Sequence, residues 1–203
     1  MGSEMCIRDR FQHRAGVRAR RRLNGRLPAT TAVESPAVAP RISIVLPAYN
    51  ERENIPEVVA RAFEVMPQLV ESFEVIVVDD GSTDGTREVT TQLLEQHYPT
   101  LRLAVHERNR GYGAAIRTGF AQARGELVFY TDSDRQFDLS DLEHFLPLMD
   151  EWDLIVGFRV YRYDTVLRSI LSWIYNRIVR VLFRVRVRDV DCAFKLFLSL
   201  IHI

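Results

Sequence analysis

Cysteine is nearly absent from this chain: Cys6 and Cys192 are the only two in 203 residues. They stand near opposite ends without metal-ligand spacing, which argues against a disulfide framework or a zinc site and suits a reducing cytosolic setting. Net charge is absent as well. The 27 Lys and Arg residues balance 27 Asp and Glu, which removes any general electrostatic case for nucleic-acid binding. No apolar run approaches about 18 uncharged residues, so no segment reads as a membrane span. The Arg-rich start also lacks the apolar core and cleavage site of a secretory signal.

What is there is unevenly spread. With 47% hydrophobic residues the chain can bury one sizeable core. Residues 1–26 carry Arg8, Arg10, Arg14, Arg18, Arg20, Arg21, Arg22 and Arg26 against Glu4 and Asp9. Apolar residues there are too sparse for a buried face, so this is read as a disordered basic tail. A Pro-, Ala- and Thr-rich linker follows, so that tail and linker together occupy 1–40. A second basic stretch, Arg159 to Arg188, holds eight arginines and one acid, Asp164, interleaved with apolar residues. The two ends, MGSEMCIRDR and LSLIHI, resemble translated adapter read-through at the edges of assembled fragments. Residues 1–10 and 198–203 are therefore expected to carry no function, and the protein is expected to continue beyond Phe197.

From Arg41 onward strands and helices alternate. RISIVLPAYN is a strand, and a helix follows that Asn50 or Asn54 can cap. FEVIVVDD is a second strand, with a helix from about Asp84 to His97. LRLAVHE, ELVFYTD and WDLIVGFR are three more strands, separated by helices over GYGAAIRTGFAQARG and LSDLEHFLPLMDE. Continuous apolar strands alternating with helices predict an α/β fold, a mostly parallel sheet with helices on both faces. Ligands in such sheets bind beyond the carboxyl ends of the strands, where PAYNE, DDGS, TDSD and GFR all fall.

In TDSDRQ, Asp132, Asp134 and Gln136 are spaced by two and share one side of a locally extended segment. Oxygen ligands of this kind suit Mg²⁺ or Mn²⁺ on a diphosphate. The plainer reading is a solvated loop in which Ser140 or Asp141 caps the next helix; Asp138 is expected to serve the turn. GYGAAIRTG opens a helix and is glycine-rich, but it lacks the spacing of a dinucleotide fingerprint.

LPAYNE (46–51), VVDDGSTDGT (77–86), RNRGYGAAIRTGF (108–120) and TDSDRQ (131–136), in this order, resemble the family 2 inverting glycosyltransferases with the GT-A fold. Within that family the chain is most similar to the branch containing dolichyl-phosphate mannose synthase and bacterial polyprenyl-phosphate glycosyltransferases. The resemblance implies that Pro47, Tyr49 and Glu51 line a nucleobase pocket and that Asp79 and Asp80 contact base and ribose. It implies that Asp132, Asp134 and Gln136 hold a divalent cation on the diphosphate, and that Arg159, in GFR where the family usually has G-S-R, faces the phosphates. Asp132, Asp134 and Arg159 are then the candidate catalytic set. Arg117 reads equally as a solvated helix residue or a pyrophosphate contact.

The acceptor divides the remaining readings. A sugar hydroxyl needs a general base, whereas a lipid monophosphate is already anionic and needs positive charge. The stretch from Asp164 to Arg184 predicts a basic amphipathic helix with Trp173 and Tyr175, suited to an anionic membrane surface; a domain helix whose arginines face water is the alternative. VRDVDCAFKLF resembles the branch's D-x-x-x-G-F-[RK] segment, with Ala193 where Gly is usual. Arg168 and Lys195 are candidates for the acceptor phosphate, while Asp189 or Asp191 would serve as base for a hydroxyl acceptor. Residues 41–160 are thus expected to form the nucleotide-sugar core and 161–197 the acceptor and membrane segment. The expected activity is metal-dependent hexosyl transfer from a GDP- or UDP-sugar to a polyprenyl phosphate at the cytoplasmic membrane face, with no nucleic-acid partner. A saccharide-hydroxyl transferase and a nucleotide- and membrane-binding module without turnover are the rivals.

Overall fold

A computed structural model describes residues 41–96, 98–133, 137–157, 166–183 and 192–199. The tail and linker expected over 1–40 lie outside them. The first strand, β1 (Ile42–Ala48), is buried throughout. It leads to α1 (Ile55–Leu69), then β2 (Phe73–Asp79), α2 (Thr86–Glu95), β3 (Leu101–Val105), α3 (Tyr112–Gln122) and β4 (Leu127–Tyr130). Then come a 3₁₀ turn at Leu139–Asp141, the one-turn α4 (Leu142–Phe145), a second 3₁₀ stretch at Leu146–Asp150, β5 (Leu154–Val156), α5 (Val166–Phe183) and β6 (Lys195–Leu198).

The six strands form one sheet in the order β3-β2-β1-β4-β6-β5. β3, β2, β1 and β4 are mutually parallel, whereas β6 runs antiparallel to both β4 and β5. Because successive strand side chains alternate between faces, each buried strand feeds two cores. Ile42, Ile44, Leu46, Val75 and Val77 share one core with Ile55, Val59 and Met66 of α1 and with Leu142 and Phe145. Val45, Ile76, Val78 and Val128 share the other with Ala115 of α3, against which Ile116 and Phe120 pack. The expected sheet with helices on both faces is therefore present. Burying each such Val, Leu or Ile contributes about 1.5–3 kcal/mol, which makes β1 and β2 the mechanical centre of the domain. Gly119 sets how closely α3 approaches: a Cβ there would collide with Val45.

Two elements differ from the reading of the sequence. The helix expected over Leu139 to Glu151 is broken into two 3₁₀ stretches around one α-turn. Pro147 supplies no N–H in its middle, and the Asp138 side chain starts the first turn by accepting from Ser140 N at 2.9 Å. Asp138 thus serves the turn, as expected. The other difference is β6. Leu198 pairs with Leu127, and its N–H donates to Asp153 O at 3.1 Å, so Lys195–Leu198 forms a sixth strand beyond the five read from the sequence.

α5 realises the helix expected between Asp164 and Arg184. Among its described side chains Trp173, Ile174, Tyr175, Ile178, Val181 and Leu182 are exposed, and Asn176 is buried. No described helix is long and apolar enough to cross a membrane.

Candidate nucleotide-sugar site

The polar loops converge where the sheet topology requires, at the carboxyl ends of the parallel strands. Ala48 lies in register with Asp79, which lies in register with Val105. The loop after β1 is zipped to the loop after β2. Asn50, held at φ +59°, accepts at Oδ1 from Thr83 N at 2.9 Å, and its own N–H donates to Ser82 Oγ at 3.0 Å. Glu51 N donates to Thr86 Oγ1 at 2.9 Å and Arg52 N to Asp84 Oδ2 at 3.1 Å. Asp84 also accepts from Thr86; burial alone would raise its carboxyl, but these bonds hold it below the ordinary value. Pro47, the penultimate residue of β1, is in register with Val78, Glu51 is half-buried, and Tyr49 is 47% exposed, an open aromatic surface at the mouth of the loop pair.

Asp79 and Asp80 are both buried and both bonded. Asp79 accepts from Ser82 N at 3.1 Å and from Arg87 Nε at 3.3 Å, so it closes the Gly81-Ser82 turn. Asp80 accepts from Arg110 N at 3.0 Å and Gly111 N at 2.8 Å, and lies 2.6 Å from His106 Nδ1. Burial acts to raise the Asp80 carboxyl, yet the His106 bond and the two backbone N–H groups together bring it below its ordinary value. His106 Nε2 meets Thr118 Oγ1 of α3 at 2.9 Å, which ties β2, the loop after β3 and α3 into one polar chain. Gly81, at φ +73°, lies so close to the backbone of Arg108 and Asn109 that any side chain would collide with it.

Asp132 follows β4 and is half-buried. Its Oδ1 accepts from the Tyr112 hydroxyl at 2.7 Å, and its Oδ2 has no hydrogen-bond partner among the described residues. One carboxylate oxygen is thus left for a ligand, in keeping with the hard-oxygen chemistry that a divalent cation requires. Beside it, Thr131 Oγ1 is buried and has no hydrogen-bond partner among the described residues. Asp134, Gln136 and Arg159 lie outside the described residues, as do Asp189 and Asp191. Among the described residues there is accordingly no cluster of three acidic, His or Cys groups at metal-binding distance. Arg117 is exposed on α3, and the side chain of Arg168 is not among those described.

β6 contributes Lys195. Being antiparallel, it begins at the end of the sheet where its neighbours finish, so Lys195 is in register with Tyr130 of β4 and Val156 of β5. Its ammonium donates to the Tyr130 hydroxyl at 2.7 Å, two residues before Asp132. Sequence reasoning missed Tyr112, Tyr130, His106 and Thr118, because each works through a partner 12 or more positions away. Only the proximity of Tyr112 to the glycines of RGYGAA marked it at all.

This sheet order and loop placement define a GT-A fold of the nucleotide-sugar transferase class. A mannosyltransferase from Pyrobaculum calidifontis, solved in complex with GDP-Man and Mn²⁺, matches with TM-score 0.51 and 31% identity, over 60% of this chain and 35% of its own. Glucosyl-3-phosphoglycerate synthase from Mycobacterium tuberculosis, at TM-score 0.55 and 24% identity over 79% of this chain and 56% of its own, is similar in fold. The chain belongs to glycosyl transferase family 2, whose model matches residues 43–197. Among curated proteins it is similar to the dodecaprenyl-phosphate galacturonate synthase of Rhizobium johnstonii, 33% identical over 80% of this chain and 49% of the relative. It is also similar to the undecaprenyl-phosphate 4-deoxy-4-formamido-L-arabinose transferase of Serratia proteamaculans, 32% identical over 69% of this chain and 43% of the relative. The chain thus spans about half the length of the curated relatives it matches.

Proposed function

We propose that this chain is the donor-binding and catalytic part of a glycosyltransferase that moves a hexose from a GDP- or UDP-sugar to a polyprenyl phosphate with inversion. The observation that carries the reading is the register of β6, which sets the Lys195 ammonium beside Tyr130, two residues from Asp132. A cation next to the proposed donor diphosphate suits an acceptor that is itself an anion and needs no general base. The names of the curated relatives, which act on undecaprenyl and dodecaprenyl phosphates, support the same acceptor class.

In this reading Pro47, Tyr49 and Glu51 line the base pocket, with Asp79 and Asp80 forming its floor and Arg117 reaching toward the pyrophosphate. Asp132, Asp134 and Gln136 hold Mg²⁺ or Mn²⁺, and Arg159 faces the phosphates. When bound, the cation would neutralise the diphosphate as it leaves the anomeric carbon. The unoccupied lone pairs of Asp132 Oδ2 fit that role, and the Mn²⁺ of the Pyrobaculum mannosyltransferase is consistent with it. Lys195 and Arg168 orient the acceptor phosphate for in-line attack from the opposite face. α5 turns Trp173, Tyr175 and Leu182 outward together with the exposed Arg177, a surface suited to the headgroup layer of a membrane's cytoplasmic face.

The test is transfer. The intact gene product is incubated with Mn²⁺ and radiolabelled GDP- or UDP-hexoses, and with either undecaprenyl phosphate or oligosaccharides. Label moving into the organic phase only with the lipid phosphate is the expected result. Label that stays in a water-soluble saccharide would replace this reading with a hydroxyl-acceptor transferase. Nucleotide binding without turnover on any acceptor would make the chain a binding module.

A further inference from the structure

Tyr112 is the first residue of α3, and its side chain is 52% exposed. Its hydroxyl donates to Asp132 Oδ1 at 2.7 Å. This bond joins the start of α3 to the loop after β4. A phenol bonded to a carboxylate is a charge-assisted pair, stronger than a neutral one, and it restricts the rotation of the short Asp132 side chain.

The arm that carries Tyr112 is itself fixed from below. Asp80 accepts from the backbone N–H groups of Arg110 and Gly111, and its contact with His106 is continued to Thr118 of α3. Gly111, at φ +89°, allows the chain to turn directly from that anchor into the helix. The anchored segment therefore ends one residue before Tyr112, and the hydroxyl reaches Asp132 from a rigid base.

We infer that Tyr112 is a positioning residue, whose hydroxyl holds one oxygen of Asp132 so that the other is presented to a divalent cation. Asp80 is the post on which this arm stands. The inference rests on the reading of Asp132 as a cation ligand. Partners that orient a metal-binding carboxylate typically change metal affinity by about 10- to 100-fold, and an exposed phenol belongs at the lower end of that range.

The experiment measures Mn²⁺ binding to the purified chain from the electron paramagnetic resonance signal of free Mn²⁺, with GDP and with UDP in separate series. Tyr112→Phe keeps the ring and removes only the hydroxyl. It is expected to weaken Mn²⁺ binding about tenfold while the melting temperature and metal-free nucleotide binding stay at parental values, a pattern that a merely structural role would not produce. Parental Mn²⁺ affinity in Tyr112→Phe, with binding lost in Asp132→Asn, would overturn the positioning role and leave the cation site standing. Tighter binding in Tyr112→Phe would also overturn it, by showing the phenol to be a competitor of the cation. Parental affinity in Asp132→Asn would remove the cation assignment and this inference together.

Discussion

Two acidic loops lie at the same end of the sheet and are built to opposite specifications. In the loop after β2, Asp79 and Asp80 are 0% and 2% exposed, and every carboxylate oxygen has a protein partner. In the loop after β4, Asp132 is half-buried with one oxygen held and the other without a partner among the described residues. Carboxylates taken from water are stable only when hydrogen-bonded, so the first pair is tied to its role in holding two turns and a helix start. A carboxylate that keeps an oxygen in reserve can exchange partners when a ligand arrives. The contrast separates acidic residues that shape the pocket from those suited to handle what enters it.

The sharpest way to break the comparison is to remove one carboxylate of each kind. Asp80→Ala leaves the His106 ring nitrogen and the Arg110 N–H without their acceptor, and Gly111 N–H with Asn109 Oδ1 alone, and should cost about 3 kcal/mol in urea unfolding. Asp132→Ala gives up only the solvent-accessible bond to Tyr112, so it should cost no more than about 1.5 kcal/mol of stability yet abolish Mn²⁺-dependent nucleotide binding in a titration. Equal losses of stability in the two variants would erase the distinction.

A pH series sharpens the same point. The folded-state Asp80 carboxyl titrates below its ordinary 3.8, so its contribution is fully present above that value and is lost as pH falls through the depressed one. The gap in stability between the parent and Asp80→Ala should hold from pH 7 to about 5 and then narrow toward strongly acid solution. Asp141 behaves in the reverse sense. Burial and the nearby Asp138 charge push its carboxyl up to about 6, against a weaker opposing effect of His144, and its Oδ2 is buried without a partner. Stability from this group is fully present below 3.8 and is lost as pH rises through about 6. Asp141→Asn should therefore match the parent at low pH and exceed it at neutral pH. The gain should be under about 1 kcal/mol, because the group is only partly buried and solvent screens it. Thermal melts at the two pH values measure it.

Much of the fold was legible in the sequence because β1, β2 and β4 are mostly apolar runs, interrupted only by Ser43 in β1 and by Glu74 and the terminal Asp79 in β2, and α1 and α3 carry their buried residues at helical spacing. The helix expected after Asp138 was less legible. Pro147 and the Asp138 cap act locally against an apolar periodicity that by itself favours a longer helix. The site was legible as a list of types, with Asp79, Asp80 and Asp132 all found at strand ends. Their division of labour was not, because adjacent aspartates look alike until their partners are known. Asp80 differs from Asp132 through His106, Arg110 and Gly111, which lie 26 to 31 positions away.

The sequence by itself determined the alternating strands and helices, the family, and the end of the sheet at which chemistry gathers, since periodicity and strand-end polarity are local properties of the chain. The tertiary structure decided that Lys195 returns on an antiparallel strand to stand against Tyr130, and that Tyr112 reaches Asp132 across the glycine-rich loop. Both are long-range contacts, selected by the packing of the whole sheet rather than by any neighbour in the chain. Spacing along the sequence therefore carries no trace of them.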